Sequence, residues 1–313
     1  MTTVLDVVEA QPEHAADVAT VVYRSFAARP PLDPPAAALN EDANSIREAI
    51  AADGGLVAEF EGRVVGALLF DHSRTNRLGL RRVAVNPGNQ AHGVASAMVG
   101  VAEALADARG FDGLWLRMRE ELPDTVRFWL RRGYQRTGDD GVHTVVSKSL
   151  PVTTAAGSPG AMHGLAARLA ALLRAGDVLI LTGELGAGKT TFVQGLAEAL
   201  GVRGPVTSPT FVLSRVHPSL INGPTLVHVD AYRLNSAAEV DDLDLDATVA
   251  SGVTAIEWGR GMAEQLSDSW LDVSIETAEV TDDAEPARQV VITPHGPRWA
   301  DIALRSSLSE ART

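Results

Sequence analysis

Eight consecutive residues, Gly183, Glu184, Leu185, Gly186, Ala187, Gly188, Lys189 and Thr190, satisfy every fixed position of the spacing G-x-x-x-x-G-K-[ST]. Such a turn grips phosphate. Its glycines let the main chain wrap with N–H groups facing inward, the start of the following helix adds partial positive charge, and Lys189 brings a full charge for the outer phosphates. Thr190 offers a hydroxyl to magnesium. Lys189 is the only lysine of the second half; the chain's other lysine is Lys148, and arginine supplies the remaining positive charge. The turn also needs a carboxylate at the end of a neighbouring strand. The apolar run Thr225 to Val229 ends in Asp230, the magnesium candidate, and Val253 to Ile256 ends in Glu257 and Trp258. Glu257 can orient an attacking water, and Trp258 either contacts the nucleotide or packs in the core.

A second phosphate-type turn lies in the first half. Gln90-Ala-His92-Gly93-Val94-Ala95 fits [QR]-x-x-G-x-[GA], whose amides take a pyrophosphate at a helix start. Composition alone yields roughly 0.6 such matches per chain, so the weight rests on the setting. The strand Leu80 to Val85 leads through Asn86 and Pro87 into this turn, and a long amphipathic helix follows. His92 either touches phosphate or faces water. Arg77, Arg81 and Arg82 either attract phosphates or an acidic substrate, or form a solvated strand face.

The elements that must hold these residues alternate in type. The first half reads as a helix at Pro12 to Ala28, strands at Leu56 to Glu61, Arg63 to Asp71 and Leu80 to Val85, a helix at Ala91 to Arg109, a strand at Leu114 to Met118, a helix from Pro123 and strand-like residues to Ser147. Pro151 to Gly160, rich in Pro, Thr, Ala and Gly, reads as a linker or an irregular domain start. Beyond it come a helix at Ala161 to Arg174, a strand at Asp177 to Thr182, a helix from Lys189, and strands at Thr225 to Val229, Val253 to Ile256, Leu271 to Glu276 and Gln289 to Ile292. The expectation is an α/β protein of two domains, 1–149 with a mixed α/β fold and 150–313 with a mixed sheet whose later strands run antiparallel. The acid-rich piece Glu239 to Asp246 is a solvated segment or a docking site for a basic partner.

The 313 residues suit two domains at about 150 residues each. Twenty-seven basic against forty acidic residues give a net charge of −13, which repels nucleic-acid backbones and anionic membranes. With no cysteine, disulfides, thiol catalysis and thiolate metal sites are excluded. The opening MTTVLDVVEAQPEH lacks a basic n-region and the longest apolar runs, such as Val178 to Leu181, are too short for a bilayer, so a cytoplasmic protein is expected.

Gly183 to Thr191, Thr207-Ser-Pro-Thr210-Phe211, His228-Val-Asp230-Ala-Tyr232-Arg233 and Ile256-Glu257-Trp258 occur in the order of the TsaE family, which the second half resembles over about residues 150 to 300. The resemblance implies a P-loop ATPase of bacterial tRNA threonylcarbamoyladenosine synthesis, acting with the TsaB and TsaD proteins and meeting tRNA only through that complex. It implies ATP and Mg²⁺, with Thr190 and Asp230 on the metal, Glu257 by the water or the metal, Thr191 near the phosphates, and Thr207 to Thr210 sensing the γ-phosphate. The first half, residues 2 to 149, resembles the GNAT acyltransferases through Leu80 to Val85, Gln90 to Ala95, Leu114 to Met118 and Phe128 to Tyr134. That resemblance implies acetyl-CoA, with its pyrophosphate on the amides of Gln90, His92, Gly93, Val94 and Ala95 and its pantetheine along Val83 to Val85. Aligned on Gly133, Trp129 stands where many members carry a leaving-group tyrosine and Leu122 where an asparagine is common, so the proton donor is unassigned. Glu59, Asp71 and His72 are possible bases or surface residues, and Tyr134 is read as a packed strand residue. Two alternatives stay open: a small-molecule kinase in the second half, and a non-catalytic CoA-sensing or docking module in the first.

Overall fold

Runs of branched apolar residues broken by turn residues build two seven-stranded sheets in the computed structural model, one in each of the units Met1–Leu150 and Pro151–Thr313. The structure describes residues 5–90, 92–234, 236–241, 243, 245–277 and 287–309. Two aspartates of the acid-rich stretch, Asp242 and Asp244, lie outside the described residues.

In the first unit the strands are β1 (Leu5–Glu9), β2 (Gly55–Phe60), β3 (Arg63–Asp71), β4 (Arg77–Val85), β5 (Gly113–Met118), β6 (Gln135–Asp140) and β7 (His143–Ser149), in the order β1-β2-β3-β4-β5-β7-β6. All neighbours are antiparallel except β4 and β5, which pair in parallel only from Arg77–Gly113 to Leu80–Leu116. Beyond Leu80 the two strands part. The register of β3 on β4 shifts between Ala67 and Leu69, and Arg82 takes φ +55°, so β4 kinks where it leaves its partner. Helices α1 (Ala15–Ala27) and α2 (Ala43–Asp53) pack their apolar residues with Val57, Ala67, Leu69 and Ala84. Helix α3 (Val94–Ala108) buries Met98, Val99 and Ala102 in a second cluster with Leu56, Leu68 and Leu114. A short helix α4 (Pro123–Leu130) follows β5.

In the second unit the strands are β8 (Val152–Ala156), β9 (Val178–Thr182), β10 (Ser214–His217), β11 (Thr225–Asp230), β12 (Gly252–Glu257), β13 (Trp270–Thr277) and β14 (Arg288–His295), in the order β10-β11-β12-β9-β13-β14-β8. The four strands from β11 to β13 are parallel; β10, β14 and β8 run antiparallel to their neighbours. The inner parallel strands are buried on both sides, which explains their continuous apolar runs. Helices α5 (Pro159–Ala170) and α6 (Lys189–Ala199) bury Leu165, Leu169, Phe192 and Leu196 against Leu179, Leu181 and Leu271.

Several elements depart from the sequence reading. Much of the expected linker is β8, an edge strand paired from Val152 on Ile292 to Ala156 on Arg288. Ser158 then caps α5, accepting a hydrogen bond from Ala161 N at 3.2 Å, and Pro159 opens that helix. The helix expected from Ala91 begins at Val94, because Gly93 at its N-cap is left-handed, φ +76°. Pro12–His14 is a separate 3-10 turn before α1. β1, α2 and β10 were not anticipated. α2 starts at Asp42, whose carboxylate accepts from Asn44 N at 2.9 Å and Ser45 N at 2.8 Å.

Candidate functional site

The register of the second sheet sets Asp230 beside Glu257 and Glu257 beside Leu181, so both carboxylates stand at the carboxyl edge where the glycine-rich turn leaves β9. The turn is tight. A Cβ on Gly183 (φ +144°) would lie 2.3 Å from the Ile275 carbonyl oxygen, and Gly186 and Gly188 take φ +80° and +111°. Ala187 is buried beneath it, whereas Glu184, Leu185 and Gly186 are exposed. Lys189, the first residue of α6, is buried at 4% exposure. Its Nζ donates to the carbonyls of Gly183 at 2.8 Å and Glu184 at 2.9 Å and lies 3.9 Å from the Trp258 ring centroid. Burial pulls the Lys189 ammonium below the ordinary lysine value, against the opposing pull of Glu257 and Asp230. Trp258 holds this place in a left-handed conformation, φ +63°, its N–H on the Leu181 carbonyl at 3.0 Å and Tyr232 edge-on at 5.3 Å.

Two oxygen-centred groupings flank the lysine. Thr190 Oγ1 donates to Glu257 Oε1 at 2.9 Å, and His228 Nε2 lies 3.0 Å from the same oxygen. With the carboxylate as acceptor, His228 carries its hydrogen on Nε2; the ring is wholly buried and Nδ1 has no partner among the described residues. Asp230 Oδ2 accepts from Ser208 Oγ and Thr210 Oγ1, both at 2.7 Å, and Oδ1 accepts from Tyr232 N at 3.0 Å. Burial pushes the Asp230 carboxyl up, but these donors outweigh it and hold it below the ordinary aspartate value. A hydroxyl and two carboxylates gathered beside a phosphate-type turn form the hard-oxygen set that suits magnesium: Thr190 and Asp230, with Glu257 adjacent.

The structure thus joins Lys189, Thr190, Asp230, Glu257, Trp258 and Thr210. Thr191 is half-buried on α6, and Thr207 is exposed, its place beside Asp230 taken by Ser208. Ser208 entered the sequence reading only as part of the Thr207 to Thr210 segment, and His228 only as part of a motif, without a role of its own. A period-two argument finds His228, since it precedes Asp230 by two on β11 and shares its face of the sheet.

In the first unit, the parting of β4 from β5 opens a cavity of about 1230 Å³. Val83, Val85, Gln90, Gly93, Val94 and Ala95 line it; His92 does not, and its Nδ1 sits 3.0 Å from the Gln90 carbonyl. Of the three possible bases, only Asp71 lines the cavity. His72 bonds the Asp53 carbonyl at 3.1 Å, and Glu59 lies 3.8 Å from His14. Burial raises the Asp71 carboxyl, but Ser73, Arg81 and Arg117 more than offset it and keep it below the ordinary value. Arg77 is neither a solvated nor a phosphate-facing residue: it is buried, donating to Ser149 Oγ at 2.9 Å. Tyr134 is wholly buried, its ring edge-on to Trp129 at 4.9 Å, and burial drives its hydroxyl well above the ordinary tyrosine value.

Residues 156–289 match the family described as "Threonylcarbamoyl adenosine biosynthesis protein TsaE", and residues 22–134 match "Acetyltransferase (GNAT) family". A TsaE protein of Streptomyces coelicolor is 56% identical over 140 residues, spanning 44% of this chain and 94% of that protein. One of Mycobacterium tuberculosis is 50% identical over 125 residues, spanning 38% and 74%. Among solved structures, Bacillus subtilis YdiB is 29% identical over 50% of this chain and 94% of its own, with a TM-score of 0.40. PaiA N-acetyltransferase of Thermoplasma acidophilum, in complex with coenzyme A, is 14% identical over 46% and 97%, with a TM-score of 0.42.

Proposed function

The chain belongs to the TsaE family through its second unit and carries a GNAT acetyltransferase domain in its first, and from that premise we propose an ATPase of tRNA threonylcarbamoyladenosine formation fused to an acetyl-CoA-dependent N-acetyltransferase. The ATPase acts with the TsaB and TsaD proteins, which carry the transfer to adenosine 37, and tRNA is met only through that complex, in keeping with the net charge of −13. Among the described residues no helix is long and apolar enough to cross a membrane.

One observation carries the ATPase reading: Lys189, Thr190, Asp230 and Glu257 converge at the strand ends beside a turn that only glycines can form. The turn's amides and the α6 N-terminus hold the phosphates, and Lys189 exchanges the Gly183 and Glu184 carbonyls for the outer phosphate oxygens. Magnesium, when held by Thr190 and Asp230, supplies positive charge against the oxygens on which negative charge builds up. Glu257, oriented by His228 and Thr190, positions the attacking water. Ser208 and Thr210, both on Asp230, tie the Thr207 to Thr210 segment to the same centre. Hydrolysis resets the partner complex.

In the first unit the amides from Gln90 to Ala95 take the pyrophosphate of acetyl-CoA, and the edge of β4 at Val83 to Val85 takes its pantetheine. The amine of a second substrate then attacks the thioester directly. Tyr134 is wholly buried outside the cavity lining and the Trp129 indole is not an acid, so neither is assigned as proton donor to the leaving thiolate.

ATP hydrolysis by the wild type and by Lys189→Ala, each with and without TsaB and TsaD, tests the first reading. A loss of about 10²-fold or more is expected, and equal rates would overturn it. Titration calorimetry with acetyl-CoA, followed by assay of acetylated amines, tests the second; binding without turnover would leave a CoA-sensing module.

A further inference from the structure

Five arginines line the cavity of the first unit, and four are paired with carboxylates: Arg81 with Asp53, Arg82 with Glu41, Arg117 with Asp140 and Arg119 with Glu121. Arg29 is the exception among the described residues. Its guanidinium stacks on Phe26, 3.7 Å from the ring centroid, and Nη2 donates to the Val83 carbonyl at 3.3 Å. Its other N–H groups have no protein acceptor among the described residues. Burial without a neighbouring anion pulls it down to about 10. A guanidinium so placed presents a forked set of donors that fits a carboxylate.

The position of Arg29 separates two sources of that carboxylate-like partner. The phosphates of acetyl-CoA belong at the turn Gln90 to Ala95, downstream of Val85. Arg29 sits on Val83, two residues of strand before Val85, or about 7 Å further from the turn. It therefore stands toward the end of the strand edge where acyl group and acceptor meet.

We propose that Arg29 binds the carboxylate of the acetyl acceptor, which makes the substrate class a free amino acid whose amine lies one or two carbons from its carboxylate. This rests on the acetyltransferase reading of the first unit. The short separation follows from the contact of Arg29 with Val83, which leaves little room between the anion and the reacting centre. In the transfer the amine nitrogen bonds to the thioester carbonyl carbon, the C–S bond breaks, and the proton shed by nitrogen ends on the sulfur of CoA. Arg29 acts as a specificity residue, and of the two carboxylates that line the cavity, Asp124 is paired with Arg127, while Asp71, 3.9 Å from Arg117, faces the ammonium before it is deprotonated.

The test measures CoA thiol release by the full chain with a panel of L-amino acids and their α-amides. At least one acid is expected to exceed its amide by tenfold or more in kcat/KM. In Arg29→Gln that ratio should fall to about one, and Arg29→Lys, which keeps the charge but not the fork, should hold an intermediate ratio. Titration of each variant with acetyl-CoA checks its fold and its phosphate contacts together. Equal rates on acids and amides, no consumption of either, or a ratio unchanged in Arg29→Gln would overturn the proposal. Arg29→Gln that loses acetyl-CoA while Arg29→Lys keeps it would reassign the residue to the CoA phosphates and equally overturn it. A wild type that does not bind acetyl-CoA overturns instead the reading on which the proposal rests.

Discussion

At the scale of single residues, Glu257 Oε1 accepts two hydrogen bonds, and the donors differ in what they do. Thr190 gives its hydrogen to the carboxylate, which leaves the hydroxyl lone pairs for an acceptor role such as holding a metal. His228 fixes the carboxylate from beneath. Because His228 Nδ1 is buried without a partner among the described residues, replacing the ring by leucine removes one unsatisfied atom as well as one donor. The urea midpoint of His228→Leu is accordingly expected to stay near that of the wild type, while kcat for ATP hydrolysis falls about tenfold. His228→Gln, which keeps a side-chain N–H for Glu257, should recover most of the turnover. A His228→Leu protein with unaltered kcat, or one that fails only by unfolding, would remove His228 from the machinery. Ser208 and Thr210 on Asp230 make the same point for the neighbouring strand: the two hydroxyls are the largest of the contributions that hold that carboxyl below the ordinary aspartate value.

Among the elements, β8 closes the β14 edge of the second sheet, turning Val152 and Ala156 into the core while Thr153 and Ala155 face outward. Val152→Asp should therefore lower the stability of this unit by more than 2 kcal/mol, and Thr153→Asp should change it by no more than about 0.5 kcal/mol, as read from urea denaturation. The segment resembled a linker because Thr, Ala and Gly dominate it and only two of its strand residues are fully buried; its strand character comes from Ile292 and Val290 on β14, far away in sequence. Longer elements were easier to read. The phosphate turn, the strands ending in Asp230 and Glu257, and the strand before Gln90 all carried their own period and breakers, so the main residues of both candidate sites were legible in advance. Arg29 was not, and the contacts of His228 with Glu257 and of Ser208 with Asp230 were not, because each comes from a partner brought in by strand register or by a cavity wall. The helix beginning at Val94 shows the same limit, its start being set by the positive φ of Gly93 rather than by apolar spacing.

For the whole molecule, the hydrophobic clusters of each unit draw on that unit's own residues. Each unit also carries its own phosphate-type turn. Ligand linkage should therefore be separable: acetyl-CoA at about a hundred times its Kd is expected to stabilise the unfolding transition of residues 1–150 by roughly 2.7 kcal/mol and leave that of 151–313 in place, with MgATP doing the reverse. A single transition moved equally by both ligands would count against independent sites. The packing of the Lys189 ammonium on the Trp258 face gives one way to watch the second unit inside the intact chain. A cation at 3.9 Å perturbs the excited state of an indole, so a triphosphate that draws the lysine off the ring should alter the emission intensity. Trp258→Phe should abolish that signal while Trp115, Trp129, Trp270 and Trp299 supply a steady background. The protein thereby holds its own optical gauge of nucleotide arrival, usable without any attached dye.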